Sequence, residues 1–455
     1  MKQFIIVLLI VLFDSFLYAL TGSGTVQDPY RITSLADFDE FAANAGYWKN
    51  HIRLETDIDL VGRTYTTAVI VPDTNSSLWG FQGTPFTGSF DGNGKKIMNL
   101  KIDSTEAGND YLGLFGLIKD FEAEVKNLGI ENVIICGNDS AYLGGLCGQN
   151  YYATISNCYA TGSIFGSYCL GGLCGENLGG TISNCYASVF VVCRDVSDYV
   201  GGLCGNNVSY VLRNCYSTGQ VSCGFNPWYV GGLCGANTGM IFKCYATGQV
   251  FGGIGPWCIG GLCGLNSVGS IHNSYATGSV EGDTGDSSVY VGGLCGKNDN
   301  SWIFNSYATG SVTGNEYTGG FCGWNNRSIA GCFWDMDTSR MATSDGGTGV
   351  TTDQMKTQST FIVADWDFVI ETTNGEMDDW YMPVSDYPKL WWQNPLPEDI
   401  DFNNMIDIFD LCKLCEEWLL ADDIVGDYRL KCDFNMDGIV NLLDFAKLSG
   451  RWLSN

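Results

Sequence analysis

Near the end of the sequence, oxygen-bearing residues recur with the spacing of a calcium-binding loop. Donors fall at loop positions 1, 3, 5, 7, 9 and 12, position 7 through its backbone carbonyl: Asp433, Asn435, Asp437, Ile439, Asn441 and Asp444. Gly438 occupies position 6, where such a loop turns sharply. Ca²⁺ is a hard cation that prefers these oxygen ligands. The spacing therefore predicts a Ca²⁺ site.

A second, degenerate loop precedes it. Asp401, Asn403 and Asp410 repeat the first, third and last donors. The first two lie 32 residues before their counterparts and the third lies 34 before, so two residues are missing where the later loop has its fifth-position acid and its glycine. We expect this loop to bind Ca²⁺ weakly or not at all. Each loop is followed by apolar residues on one predicted helical face, which indicates a duplicated module: Leu411, Leu414, Trp418, and Phe445, Leu448, Trp452.

Other charged residues are scattered. Arg194, Asp195 and Asp198 form the densest group, and Asp283 with Asp286 forms the next. Glycosidic cleavage needs two positioned carboxylates, and a lyase needs a positioned base. Both groups lie in variable loops, where solvated acids are the default, so we assign no catalytic residue and favour binding over catalysis.

Cysteine recurs at a fixed place in two phrases of a repeat. The first phrase reads GGLCG or GGFCG and the second resembles NCYATG; their cysteines are Cys147, Cys174, Cys204, Cys234, Cys263, Cys295 and Cys322, then Cys158, Cys185, Cys215, Cys244 and Cys332. Equivalent residues of stacked coils lie within disulfide reach but with parallel side chains. A ladder of buried thiols and a set of disulfides are both compatible with this pattern, and Ser274 and Ser306 in the second phrase favour the ladder.

The repeats return every 27 to 32 residues from Gly144 to Gly319, with a degenerate copy at Tyr111. Short β-prone stretches separated by Gly and Asn turns cannot bury a face alone, so neighbouring units must stack. The sequence predicts an all-β fold, a parallel β-solenoid of about eight coils over residues 105–334. Residues 21–104 are expected to form its N-terminal cap and first coils, and a small α-helical calcium-binding module follows over 395–455.

Aromatic residues recur in the same units and cluster after them. Two tyrosine columns can pack inward or form ladders that bind glycan or protein: Tyr142, Tyr199, Tyr229 and Tyr290, or Tyr159, Tyr186 and Tyr216. Residues 335–394 are expected to cap the open end of the solenoid, with a short helix that has Thr352 as its N-cap. The alternative for their aromatics is an exposed sugar-stacking platform: Trp366, Phe368, Trp380, Tyr381, Tyr387, Trp391 and Trp392.

The first residues indicate export. Lys2 is followed by an apolar run from Phe4 to Phe13, which is typical of a signal peptide, here residues 1–20. We expect no membrane span after cleavage, and a secreted or cell-surface location. The net charge of −27 argues against nucleic-acid binding, which needs Lys and Arg to neutralise phosphates.

The repeat phrases resemble the GLUG motif over about 111–334, and Asp433 to Asp444 with its helix resembles a type I dockerin domain. The first resemblance implies a right-handed β-helix of adhesin-like character. The second implies Ca²⁺ and a cohesin-like protein partner. Together they suggest an exported, non-catalytic solenoid that binds polysaccharide or cell-surface glycan and is tethered through its C-terminal module. The alternative is a dockerin-bearing polysaccharide lyase or glycoside hydrolase.

Overall fold

The computed structural model describes residues 19–393 except 79, 106–107, 195, 284, 286–288, 370–372 and 375–378. Near the C-terminus it describes residues 411, 415, 432 and 439–452. The described chain is a parallel β-solenoid of about eight coils, as the repeat predicted. Residues 1–18 of the predicted signal peptide and most of the predicted calcium loops, including Asp401, Asn403, Asp410, Asp433, Asn435 and Asp437, lie outside the described residues.

The first phrase contributes strands to two parallel sheets, each built from successive coils. One has seven parallel strands: Leu143–Gly144, Leu170–Gly171, Tyr199–Gly201, Tyr229–Gly231, Cys258–Gly260, Tyr290–Gly292 and Tyr317–Gly319. The other has eight: Phe115–Lys119, Cys147–Tyr151, Cys174–Leu178, Cys204–Val208, Cys234–Asn237, Cys263–Ser267, Cys295–Asp299 and Cys322–Asn325. The glycines between them allow close packing, since a Cβ on Gly201 would lie 2.0 Å from the carbonyl oxygen of Cys204.

The second phrase belongs to a third, 25-stranded sheet. Its short strands before the turn are Thr154–Ser156, Thr181–Ser183, Val211–Arg213, Met240–Phe242, Ser270–His272, Trp302–Phe304 and Ser328–Ala330. After the turn come Tyr159–Gly166 and Tyr186–Cys193, then pairs of shorter strands: Tyr216–Ser217 and Val221–Cys223, Tyr245–Ala246 and Val250–Phe251, Tyr275–Ala276 and Val280–Glu281, Tyr307–Ala308 and Val312–Thr313, and finally Phe333–Asp335.

The N-terminal end is closed by a helix that the repeat pattern did not predict. Helix Leu35–Ala43 begins at Ser34, whose hydroxyl accepts the backbone N–H of Asp37, and it buries Phe38 and Phe41. The strands of this region are Tyr30–Ile32, His51–Leu54, Ile58–Asp59, Ser89–Met98, Lys101–Ser104 and Glu124–Gly137, all part of the 25-stranded sheet.

After the last coil the chain forms two successive segments that pack against different parts of the solenoid. Residues 335–350 cover the end of the solenoid, where the Ser344 hydroxyl accepts the backbone N–H of Cys322 at 2.8 Å. Residues 351–393 then run back along its flank. The elements are helices Met336–Ser339, Thr352–Met355 and Ser359–Ile362, strands Thr348–Val350, Trp380–Tyr381 and Lys389–Leu390, and the 3₁₀ turn Trp391–Gln393.

Two details of this region differ from the sequence predictions. The N-cap of helix Thr352–Met355 is Thr351, not Thr352, because Thr351 and Gln354 form a reciprocal capping box. Most of the aromatics pack along the flank rather than over the open end. They form a second hydrophobic core with Tyr275 and Tyr307, in which Trp366, Phe368 and Trp380 are fully buried.

Candidate functional site

The outer face of the solenoid carries an apolar strip where the loops between the two phrases project. Phe225 and Ile254 pair as a parallel bridge between neighbouring coils. Trp228 and Trp257 stack with ring centroids 5.1 Å apart and planes 6° from parallel. The tryptophans are 41% and 54% exposed, and Phe225 and Ile254 are also exposed. We call these four residues the aromatic edge.

Carboxylates flank the aromatic edge. The backbone carbonyl of Asp198 accepts the N–H of Tyr229, which places Asp198 one coil before Trp228. Burial raises the pKa of the half-buried Asp198 carboxyl. On the other side, Asp283 accepts the backbone N–H of Gly255 at 3.1 Å. Apolar rings beside hydrogen-bonding carboxylates suit a sugar, because a pyranose has apolar C–H faces and a rim of hydroxyls.

The charged residues singled out from the sequence lie in different parts of the structure. Arg194 donates to the Asn138 side-chain carbonyl at 2.7 Å, across to a neighbouring loop. Asp198 and Asp283 lie beside the aromatic edge, whereas Asp195 and Asp286 lie outside the described residues. The four residues of the aromatic edge were not singled out from the sequence. A signal was available, since Trp228 and Trp257 directly precede the first-phrase strands of successive repeats.

A disulfide lies at the base of the same loops. Cys193 and Cys223, which are 30 residues apart, are bonded between neighbouring coils at the ends of their second-phrase strands. Sequence reasoning did not predict this pair, although the separation equals one repeat. The bond restrains the loops that begin at Arg194 and Gly224, the second of which carries Phe225 and Trp228.

The cysteines of both phrases form buried ladders of free thiols in the structure, the first of the two arrangements compatible with the sequence. Cys147 Sγ lies 3.5 Å from Cys174 Sγ, and the strands pair cysteine with cysteine from coil to coil. Burial raises the pKa of Cys174 well above its usual value and that of Cys332 to about 12. Cys174 and Cys332 therefore stay protonated at neutral pH, and the ladder cysteines act as small core residues.

A buried asparagine ladder, not predicted from the sequence, runs beside the first-phrase cysteines. Each member follows the cysteine of its strand by three residues, and each amide nitrogen donates to the next amide oxygen at 2.7 or 2.8 Å: Asn150, Asn177, Asn207, Asn237, Asn266, Asn298 and Asn325. The recurrence of Asn at this position was the available signal. The ladder satisfies polar groups inside the solenoid and so fixes the register of the coils.

The second-phrase tyrosines form a ladder on the outside. Their ring centroids lie 4.8 or 4.9 Å apart in the order Tyr159, Tyr186, Tyr216, Tyr245, Tyr275 and Tyr307. The flank segment 351–393 buries Tyr275 and Tyr307, and Trp392 lies over Tyr216 and Tyr245. Tyr159 and Tyr186 remain half-exposed. Much of this ladder is therefore a docking surface for the chain itself.

The first-phrase tyrosines form a less regular column. Tyr199 and Tyr229 are tilted at 5.6 Å, and Tyr290 and Tyr317 are tilted at 5.2 Å. Cys258 takes the aligned place between Tyr229 and Tyr290. Tyr142 stacks instead on Tyr111 of the degenerate copy at 4.8 Å. The column is interrupted, so it is not one continuous aromatic platform.

Part of the predicted calcium loop is described. The side chain of Asn441 accepts the N–H of Leu443, and Asp444 accepts the N–H of Asn441 at 2.8 Å, at the start of helix Leu442–Trp452. Asp444 is buried, while Ile439 supplies a backbone carbonyl two residues before Asn441. Three oxygen-bearing groups thus gather at one helix start, and this donor chemistry fits Ca²⁺.

Comparison with known proteins identifies the repeats. Residues 139–313 carry six GLUG motifs. The family described as "The GLUG motif" matches residues 139–164, 166–192, 197–222, 226–250, 255–281 and 287–313. The strands Phe115–Lys119 and Cys322–Asn325 continue the same sheet on either side of the matched range, as the degenerate copy and the last phrase predicted.

Two named relatives share the repeat region. The chain is 36% identical over 146 residues to "Halomucin" of Haloquadratum walsbyi, covering 32% of this chain and 2% of the relative. It is 35% identical over 144 residues to a "Putative Gly-rich membrane protein" of Evansella cellulosilytica, covering 30% of this chain and 15% of the relative. The chain therefore spans a small part of each relative.

A solved structure is also similar in outline. The crystal structure of a "putative immunoglobulin A1 protease" from Bacteroides ovatus matches with a TM-score of 0.44 and 19% identity, covering 81% of this chain and 94% of that one. Within the described part of the chain, no helix is long and apolar enough to cross a membrane.

Proposed function

We propose that the protein is an exported, non-catalytic, adhesin-like solenoid that binds an extended glycan along its aromatic edge. The observation that carries the proposal is the exposed stack of Trp228 and Trp257. Large exposed apolar patches on soluble proteins mark interaction sites. The neighbouring carboxylates of Asp198 and Asp283 supply acceptors for sugar hydroxyls, and the loops that carry the site vary while the coils beneath them stay regular.

The test uses the mature protein with a panel of plant, algal and microbial polysaccharides in the presence of calcium. Both depletion of the protein onto the polymer and release of new reducing or unsaturated ends are followed. Depletion without new ends supports the proposal. New ends that are lost in an Asp198→Asn or Asp283→Asn variant would instead show a polysaccharide lyase or glycoside hydrolase.

Variants make the test specific to the aromatic edge. We expect Trp228→Ala and Trp257→Ala each to weaken polymer binding by about tenfold, because each ring contributes roughly 1–1.5 kcal/mol beyond its buried area. Trp302→Ala is the matched control, since Trp302 is 38% exposed on a short second-phrase strand away from this edge. Equal losses in all three variants would count against the site.

We also propose that the C-terminal region is a dockerin-like module that binds Ca²⁺ and a cohesin-like protein domain. Three observations support this proposal: the oxygen donors of the loop, the resemblance of their spacing to a dockerin loop, and the capped start of the helix at Asn441. Asp433, Asn435, Asp437, Ile439, Asn441 and Asp444 would hold the ion. The ion would order the loop by drawing these acids together, which removes their mutual repulsion.

Titration calorimetry of Ca²⁺ into the chelator-treated full chain tests this proposal. We expect a binding heat that disappears in Asp433→Ala and persists in Asp401→Ala, because the first loop lacks two residues. A heat that survives Asp433→Ala would exclude the loop as the site. A calcium-dependent pull-down with an isolated cohesin domain tests the proposed partner. If the chain binds Ca²⁺ but does not bind the cohesin domain, the proposed tether is wrong while the proposed Ca²⁺ site stands.

An exported location agrees with both proposals. The apolar run after Lys2 suits a protein that is exported and works outside the cytoplasm. One relative of the repeats is named as a membrane protein, which supports a place at the cell envelope. Detection of the chain beginning near Thr21 in culture medium or on intact cells would test this location.

A further inference from the structure

A coil near the N-terminus has a cleft beside a long excursion of the chain. The chain leaves the coil after Ile70, which bridges to Phe115, and returns at Phe86, which bridges to Ile118. Between the returning part of this excursion and the first strands of the eight-stranded sheet lies a cleft of about 300 Å³. Its lining includes Phe81, Tyr111, Lys119, Gln149 and Tyr151. Its volume is at the lower end of ligand pockets, which run from about 300 to 1,000 Å³.

Ring side chains line much of the cleft. Phe81 meets Tyr111 edge to face, with ring centroids 5.3 Å apart and planes at 83°. Tyr111 is itself held by its stack on Tyr142 at 4.8 Å and is almost fully buried. Tyr151 packs edge to face against Tyr152 at 4.5 Å. Fixed rings of this kind suit a flat ligand with apolar faces.

One cation stands at the mouth. The Lys119 ammonium lies 5.2 Å from the centre of the Tyr151 ring, and the residue is exposed. None of the ion pairs among the described residues includes Lys119. Lys297 offers a contrast, since its ammonium lies over the Trp324 ring at 4.7 Å and also pairs with Asp299 at 3.4 Å. In a chain of net charge −27, a cation without a carboxylate partner is available to a ligand's anionic group.

The floor is polar and held in place. The side-chain amide nitrogen of Gln149 donates to Glu176 at 2.6 Å, and Asn206 donates to the other oxygen of the same carboxylate at 3.0 Å. Glu176 is therefore engaged by two amides from neighbouring coils. The Gln149 amide is thereby oriented, and its carbonyl oxygen is the acceptor that the floor can offer to a ligand hydroxyl.

From this arrangement we infer that the cleft binds one pyranose residue that carries a carboxylate, a uronate. The sugar ring lies against Phe81 and Tyr151, the carboxylate pairs with Lys119, and a hydroxyl donates to Gln149. The site is separate from the aromatic edge, and its ligand is recognised by charge as well as by shape. A uronate at a chain end or in a side branch fits a cleft of this volume.

The test titrates the mature full-length chain with methyl β-D-glucuronide and, in parallel, with its neutral counterpart methyl β-D-glucoside, by ligand-observed NMR. We expect saturable binding of the glucuronide and at least tenfold weaker binding of the glucoside, because the glucoside cannot form the charge-assisted hydrogen bond with Lys119. Raising the salt concentration should weaken only the glucuronide.

Variants locate the site. Lys119→Met keeps the apolar stem and removes the charge, and it should weaken glucuronide binding about tenfold while leaving thermal unfolding unchanged. Lys297→Met is the matched control and should bind like the unaltered chain. The inference is overturned if the glucuronide does not bind, if the glucoside binds equally, or if the two lysine variants behave alike.

Discussion

Lys243 shows how one residue can break a repeat for a structural purpose. Asparagines lead the second phrase in the other copies from Asn157 to Asn305, and they adopt the left-handed backbone that asparagine tolerates. Lys243 keeps this conformation, with φ 51°. Its ammonium pairs with Asp379 of the flank segment at 2.7 Å, in a site that is almost closed to solvent. Asn273 donates to the same carboxylate at 2.6 Å. Lysine thus replaces asparagine where the flank segment docks.

We expect Lys243→Asn to destabilise the docked flank segment by about 3–5 kcal/mol, because it leaves the Asp379 carboxylate buried without its cation. The double variant Lys243→Asn, Asp379→Asn should recover much of the loss, since neither partner then carries a charge. Urea unfolding followed by tryptophan fluorescence measures both, because Trp366 and Trp380 are buried in this segment. A double variant no more stable than the single one would contradict the explanation.

At the scale of the element, a substitution in the middle of the asparagine ladder should destabilise the protein more than a substitution at its end. Asn237 donates to Asn266 and accepts from Asn207, so Asn237→Ala orphans groups on both neighbouring coils. We expect a loss of about 2–6 kcal/mol in the free energy of unfolding, at about 1–3 kcal/mol for each of the two orphaned groups. Asn325→Ala at the ladder's end should cost less, and equal losses in denaturant unfolding would argue against a ladder.

The thiol ladders predict a chemical pattern. Burial holds the pKa of Cys174 well above its usual value, so its thiol stays protonated at pH 8 and is shielded from reagents. Cys415 is exposed and Cys136 is only partly buried, although burial raises the pKa of Cys136, so these two should react with a thiol reagent before the ladder cysteines in the folded protein. In denaturant without reductant, the ladder cysteines should all become reactive. Near-zero reactive thiol there would show that disulfides replace the ladders.

Some of the structural elements could be predicted from the sequence and others could not. The coils and both cysteine columns follow from period, since identical phrases must occupy identical places in stacked units. Helix Leu35–Ala43 occurs once, so no repetition revealed it. The flank docking depends on Asp379 meeting Lys243 across 136 residues, and neither local propensity nor spacing reports such a contact. The cleft at Lys119 could not be predicted either, because it is formed by an excursion of the chain that occurs in one coil and does not repeat.

For the whole molecule, the flank segment 351–393 completes the fold by covering apolar rings that the solenoid would otherwise expose. Tyr307 is fully buried beneath it and its hydroxyl donates to the carbonyl of Pro388 at 2.7 Å. Tyr275 likewise shares hydrogen bonds with Gln393. The described part of the segment ends at Gln393, where the neighbouring Trp392 lies over Tyr245, and the region proposed to bind Ca²⁺ follows in the sequence. Docking of the flank therefore sets where the proposed tether leaves the solenoid.

Two truncations test this role. A chain that ends at Gln393 keeps the flank segment and should match the full chain in thermal unfolding and in binding of an apolar dye. A chain that ends at Val350 uncovers Tyr245, Tyr275 and Tyr307, and it should bind the dye strongly and associate, because exposed apolar ladders promote self-association. Its β-sheet circular dichroism should persist, since the coils stack through their own hydrogen bonds. If the shorter chain stayed monomeric and bound no dye, the flank segment would not be needed to cover the tyrosine ladder or to stabilise the solenoid.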